Sequence, residues 1–179
     1  IPASKFKEFV SDLSGQAANY LRPIPSEPYR ATKAGTAFHS WVEDFLISEV
    51  DNPSDDIVDL SEVFKNSRFK ELSPADIEVE INLTRGQNTF VCKLDAVFQV
   101  GDRFEIVDWK TGRPPKTKVE QESMALQLAL YRFAYSELRS IPIEMIDVSF
   151  YFVADDKELV PDQVPSPSEL IATWEKLFS

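Results

Sequence analysis

Along most of the chain the apolar positions follow either a helical or an alternating period, and each switch between the two marks a new element. From Ser4, a candidate N-cap, Phe6, Phe9, Val10 and Leu13 recur at helical spacing until Ser14 and Gly15 interrupt them. A second short helix would reach Leu21, and RPIPSEPYR (22–30), with three prolines in nine residues, predicts an extended connector. Over 33–50, Phe38, Trp41, Val42, Phe45 and Leu46 form an apolar stripe that predicts a helix, with His39 and Glu43 four apart on an adjacent face. The acidic stretch DNPSDD predicts a loop, and a short helix is expected near 60–69.

The period then changes to two. Ile77, Val79, Ile81 and Leu83 alternate with Glu78, Glu80 and Asn82, and RGQN predicts a hairpin turn. In the next strand Phe90, Cys92, Leu94, Ala96 and Phe98 are expected on one face, with Val91, Lys93, Asp95 and Val97 on the other. A Gly-Asp turn leads into a third strand, where Phe104, Ile106, Asp108 and Lys110 share a face. A helix over 119–139 and a nearly continuous apolar strand, IDVSFYFVAD, follow, the latter suited to the interior of a sheet. Ser166 as N-cap, Pro167 at the first helical position and Glu169 completing a capping box predict a last helix, with Leu170, Ile171, Trp174, Leu177 and Phe178 buried. Strands that meander and then resume after a long helix predict an α/β fold with a mixed sheet and a right-handed crossover into the fourth strand.

Composition narrows the chemistry. The 179 residues suit one domain, 43% hydrophobic and 27% charged, with no run of 18 apolar residues and no basic-then-apolar leader, so neither a membrane span nor a secretory signal is expected. The first residue is Ile, which suggests a piece of a longer polypeptide. One cysteine, Cys92, and one histidine, His39, exclude internal disulfides, structural zinc and a four-cysteine iron-sulfur cluster. Five scattered glycines leave no nucleotide-binding loop. A net charge of -11 argues against general adhesion to nucleic acid, so any contact with a polyanion must be local.

Against that background KLDAVFQVGDRFEIVDWKTG is unusual, because two adjacent strands each set an acid, Asp95 and Asp108, among apolar residues. Asp108 and Lys110 are two apart and emerge on one face, and strand pairing could bring Asp95 beside them. Two carboxylates about 4 Å apart repel by roughly 4 kcal/mol at an effective dielectric of ~20, so a shared divalent cation is the natural way to keep both ionised. Oxygen ligands without cysteine select Mg²⁺ or Mn²⁺.

The arrangement resembles the PD-(D/E)xK nuclease superfamily, and within it the RecB-type modules joined to UvrD-like DNA helicases, nearest to those of the AdnA and AdnB kind. GTAFHSWVE (35–43) resembles the family's histidine helix, KLDAVF (93–98) its first aspartate strand, IVDWKTG (106–112) its aspartate-x-lysine strand and QLALYRFAY (127–135) its glutamine-tyrosine helix. The motifs stand in the family's order across 35–135, with 1–34 as an N-terminal helical segment and connector to a single nuclease domain spanning 1–179. The resemblance implies a restriction-endonuclease-like core in which His39, Asp95 and Asp108 hold Mg²⁺ or Mn²⁺. Lys110 would orient the attacking water. Gln127 and Tyr131, four apart on one helix face, could bond a phosphate or that water. Glu80 would be an auxiliary acid, although Glu78 lies on the same face and is equally eligible. Arg113, Lys116 and Lys118 would position DNA phosphates. Two departures stand out: Cys92 occupies a place where glycine is common, and the iron-sulfur cysteines of some relatives are missing.

The function so implied is metal-dependent DNA hydrolysis leaving a 5′-phosphate, exonucleolytic, at the C-terminal end of a helicase-nuclease in double-strand-break repair. The expected partners are DNA, motor domains in the same polypeptide and a possible second helicase-nuclease subunit, in the bacterial cytoplasm near the nucleoid. The rival reading is a silent nuclease-fold module that binds DNA or a partner, against which the retention of Asp95, Asp108 and Lys110 speaks. An unrelated hydrolase of small phosphoesters would need His and Asp ligands that the chain lacks.

Overall fold

A computed structural model describes residues 1–11 and 30–178. The expected helix reaching Leu21 and the proline connector over 22–29 lie outside the described residues. A 3-10 turn at Ala3–Lys5 with Pro2, not Ser4, as its N-cap leads into helix α1 (Phe6–Ser11). Helix α2 (Arg30–Ser48) carries the aromatic stripe, and helix α3 (Val58–Lys65) with a 3-10 turn at Arg68–Glu71 replaces the single helix expected over 60–69. Asn66, which caps α3 by donating its backbone N–H and side-chain amide to the Glu62 carbonyl, breaks that segment in two.

Strands β1 (Pro74–Arg85), β2 (Asn88–Val100) and β3 (Arg103–Lys110) form an antiparallel meander whose turns hold Gly86 and Gly101 at positive φ, 60° and 65°. Helix α4 (Lys118–Arg139) opens on a capping box in which Glu120 N–H donates to Thr117 and the Glu120 carboxylate receives the Thr117 N–H. It crosses back so that strand β4 (Ile146–Phe152) runs parallel to β3. The apolar run ends earlier than expected, because residues Val153–Asp155 make a 3-10 turn, Asp156 turns left-handed at φ 46° and a short strand β5 (Lys157–Leu159) pairs back onto β4. The sheet order is β1-β2-β3-β4-β5, and helix α5 (Pro167–Phe178) begins on the expected Ser166–Glu169 box. The architecture is α/β, a mixed sheet flanked by helices, consistent with the restriction-endonuclease-like fold.

Each face of the sheet has its own core. On one, Phe90, Leu94, Ile106 and Phe150 pack with Phe6 of α1, Leu128 and Ala134 of α4 and Trp174 of α5. On the other, Phe98, Val107, Trp109 and Tyr151 pack with Phe38 and Trp41 of α2 and Phe64 of α3. Strict alternation along β2 therefore fails: Phe90, Cys92, Leu94 and Val97 join the first core, while Ala96 and Phe98 join the second. The face switches at Asp95, where β2 stops pairing with β3 beyond Ala96↔Val107. Directly across, Glu78 has φ 50° and drops out of the β1–β2 pairing between Ile77↔Ala96 and Val79↔Leu94. The sheet opens at this point, between two complete cores.

Candidate active site

Where β2 and β3 part, Asp95 is released from the ladder and uses its side chain instead. Its Oδ2 accepts the backbone N–H of Trp109 at 2.7 Å, and its Oδ1 lies 3.1 Å from His39 Nδ1. His39 is delivered by α2, whose Phe38, Trp41 and Val42 are anchored in the core beneath it. That helix runs close to the segment just after Lys110 at Gly35, where a β-carbon would lie 3.2 Å from Thr111 Oγ1. Burial disfavours the charged imidazole, but the hydrogen bond and charge of Asp95, helped by Asp108 and Glu78, raise the His39 pKa above its ordinary value.

Glu78 completes the group. Its left-handed backbone interrupts the pleat, and its carboxylate lies 4.0 Å from His39 Nδ1 through Oε1 and 2.7 Å from Lys93 Nζ through Oε2. Ligand atoms of His39, Glu78 and Asp95 all lie within 4.8 Å of one another. Glu80, the acid expected to be auxiliary, is instead solvent-exposed and pairs across from Lys93. Regular alternation makes the two glutamates equivalent, and the turn at Glu78, invisible in the residue pattern, separates them.

Asp108 is 4% exposed and sits on the α4 side. Its Oδ1 accepts from Gln127 Nε2 at 3.3 Å, and Gln127 Nε2 also donates to Tyr131 Oη at 2.8 Å. Lys110 Nζ is 2.7 Å from Asp108 Oδ2, so the ammonium is the partner of this buried oxygen. The same ammonium lies 5.5 Å from the centre of the Phe150 ring. Burial, and then the charge of Asp95, push the Asp108 pKa up to about 6 against the pull of Lys110 and His39. Gln127 and Tyr131 are both buried, and burial together with the charge of Asp108 pushes the Tyr131 hydroxyl far up, so it stays protonated. Both stand behind the acids rather than in the open.

The structure thus brings His39, Asp95, Asp108, Lys110, Gln127 and Tyr131 to one place and adds Glu78. Arg113, Lys116 and Lys118 are exposed on the segment leading into α4, and none is among the described residues lining the adjoining cleft of about 630 Å³. That cleft lies between α2 and the sheet and is lined by His39, Glu43, Glu78, Lys93 and Asp95 among others. Glu43 shares a helix face with His39 in the residue pattern and Lys93 opens the KLDAVF strand, but the pattern singles out neither for a role. The donor set fits a hard divalent cation: one imidazole and two carboxylates converge, and the buried Asp108 carboxylate is near enough for its charge to act on His39. Cys92, three residues before Asp95, is fully buried with its thiol pushed up to about 12 by burial, so it acts as a packing residue.

The profile of the PD-(D/E)XK nuclease superfamily matches residues 58–179, which takes in Glu78, Asp95, Asp108, Lys110 and Gln127 but begins after His39. No curated protein matches the sequence. Among solved structures, an Eubacterium rectale protein named "putative exonuclease" superposes with a TM-score of 0.58 at 11% identity, covering 98% of this chain and 76% of that one. A second, named SSO0001, covers 96% of this chain and 84% of that one at 19% identity, with a TM-score of 0.41. The first likeness is one of fold.

Proposed function

Because the chain belongs to the PD-(D/E)XK nuclease superfamily, we propose that it is a DNA nuclease dependent on Mg²⁺ or Mn²⁺, cutting phosphodiester bonds at the cleft where β2 and β3 separate. The observation that carries this reading is the pair of buried acids, Asp95 and Asp108, beside Lys110 at that separation. His39, Glu78, Asp95 and Asp108 would hold the cation, which when bound supplies charge to polarise the scissile phosphate and acidify a water. Lys110, tethered to Asp108 and partly exposed, holds its ammonium where it can orient the attacking water and offset charge on the reacting phosphate. Gln127 fixes Asp108 through Oδ1 and is itself fixed by Tyr131, so both act through Asp108. Arg113, Lys116 and Lys118 would reach flanking DNA from the edge of the site.

The four motifs in RecB-type order support the finer reading: an exonuclease, at the C-terminal end of an ATP-dependent helicase-nuclease, acting in bacterial double-strand-break repair with a possible second subunit. The test is digestion of linear DNA by the protein, at high concentration or joined to its motor domains, with Mg²⁺, with Mn²⁺ and with chelator. Metal-dependent loss of DNA is expected for the wild type and not for Asp95→Ala. No degradation with either metal would overturn the reading and leave a silent module that binds DNA or a partner.

A further inference from the structure

The cleft has a charge problem that the acids and the bound cation do not solve. Three of its lining residues, Glu43, Glu78 and Asp95, are carboxylates, and a DNA strand entering it brings more negative charge. Lys93 is the only lysine or arginine among the described residues that line it. Lys110 serves the other side of the acid pair, held between Asp108 and the Phe150 ring. Lys93 lies 2.7 Å from the Glu78 carboxylate and so sets an ammonium at the mouth.

The two ends of this pair differ: the Lys93 side chain is 63% exposed while that of Glu78 is 13% exposed, so the lysine can move into solvent while the carboxylate stays in the site. A divalent cation drawing on Glu78 competes for the same carboxylate, which leaves the lysine free to swing on its four-carbon stem toward another anion. The stem starts on β2 two residues before Asp95 and on the same side of the sheet as the cleft, so its reach covers the mouth through which a phosphodiester must pass.

We propose that Lys93 is a DNA-phosphate contact of this site: paired with Glu78 when the cleft is empty, it transfers to a backbone phosphate of the bound strand when the cation takes Glu78. This rests on the nuclease reading above, and the test separates the two. DNA binding is measured by fluorescence anisotropy of the protein with a labelled oligonucleotide in Ca²⁺, across a salt series, for wild type, Lys93→Ala and Lys93→Arg. Mn²⁺ affinity is measured by calorimetry on the same proteins. For Lys93→Ala, DNA affinity is expected to fall about three- to ten-fold, with the slope of log affinity against log salt shallower by roughly one. Mn²⁺ affinity is expected to be unchanged or tighter, since a competing cation has gone, and Lys93→Arg is expected to retain DNA binding. Unchanged DNA affinity in Lys93→Ala would overturn the proposal, and so would weaker Mn²⁺ binding, which would make the lysine a support for the metal group. These readouts need no cleavage, so a wild type that cuts nothing would sink the nuclease reading while the binding comparison still decides the role of Lys93.

Discussion

Replacing Asp108 by Asn is expected to stabilise the metal-free protein, although it removes a charged partner of Lys110. The folded environment raises the Asp108 pKa from 3.8 to about 6, so the ionised form is disfavoured even after the attraction of Lys110 and His39 is included. At about 1.4 kcal/mol for each tenfold change in proton affinity, ionised Asp108 costs about 3 kcal/mol relative to a neutral group. The sign follows from linkage: a carboxyl with a raised folded pKa imposes no cost below the unfolded value, a growing cost between about 4 and 6, and the full cost above. Asparagine keeps the shape and removes the charge. The gap in favour of Asp108→Asn is therefore about 3 kcal/mol at pH 8 and about half that at pH 5. In thermal unfolding that is roughly 6–12 °C at pH 8 for a chain of this length. Saturating Mn²⁺ should raise the wild type more than the variant and narrow the gap, because a bound dication adds to Lys110 in favouring the ionised carboxylate. An Asp108→Asn protein less stable than wild type at pH 8, or a gap that does not shrink on acidification, would refute the reasoning.

Other consequences can be checked separately. Glu78→Gln should weaken Mn²⁺ binding in calorimetry by about ten-fold or more, while Glu80→Gln, at an exposed position outside the ligand group, should leave it unchanged. Mn²⁺ affinity of the wild type should fall as pH drops through the raised His39 pKa, above 6.5, because a protonated imidazole cannot ligate. Gly35→Val should move α2 away from Thr111 and reduce both Mn²⁺ affinity and cleavage, with the far-UV circular dichroism spectrum retained.

Much of this was legible in the residues. The apolar stripe of 38–46, the meander, the long helix and the Ser166–Glu169 box all depend on local periodicity or capping, and each formed where the pattern placed it. The nearness of Asp95, Asp108 and Lys110 was likewise readable from residue spacing and strand pairing, whereas His39 was joined to them only through the motif resemblance. What escaped is non-periodic. The switch of face at Asp95 and the positive φ at Glu78 are tertiary choices, made where two strands separate, and no residue type announced them. Treating the strands as ideal put Ala96 and Phe98 on the wrong face and could not separate Glu78 from Glu80. Strand β5 was missed because three polar-flanked residues, Lys157–Leu159, give no alternating signal of their own and pair only because β4 offers an edge.

The central claim, that this cleft performs hydrolysis rather than binding alone, is tested most directly by single-turnover cleavage of linear DNA in Mg²⁺ and Mn²⁺ by the wild type and Lys110→Ala, each with its Mn²⁺ affinity measured alongside. Lys110 faces Asp108 without serving as a ligand, so the account expects cleavage to fall by about 100-fold or more while the fold and Mn²⁺ binding persist. A Lys110→Ala protein that cuts as fast as a cutting wild type would contradict the assignment of the lysine, and a wild type that binds Mn²⁺ and DNA yet cuts neither slowly nor in excess would contradict the claim itself.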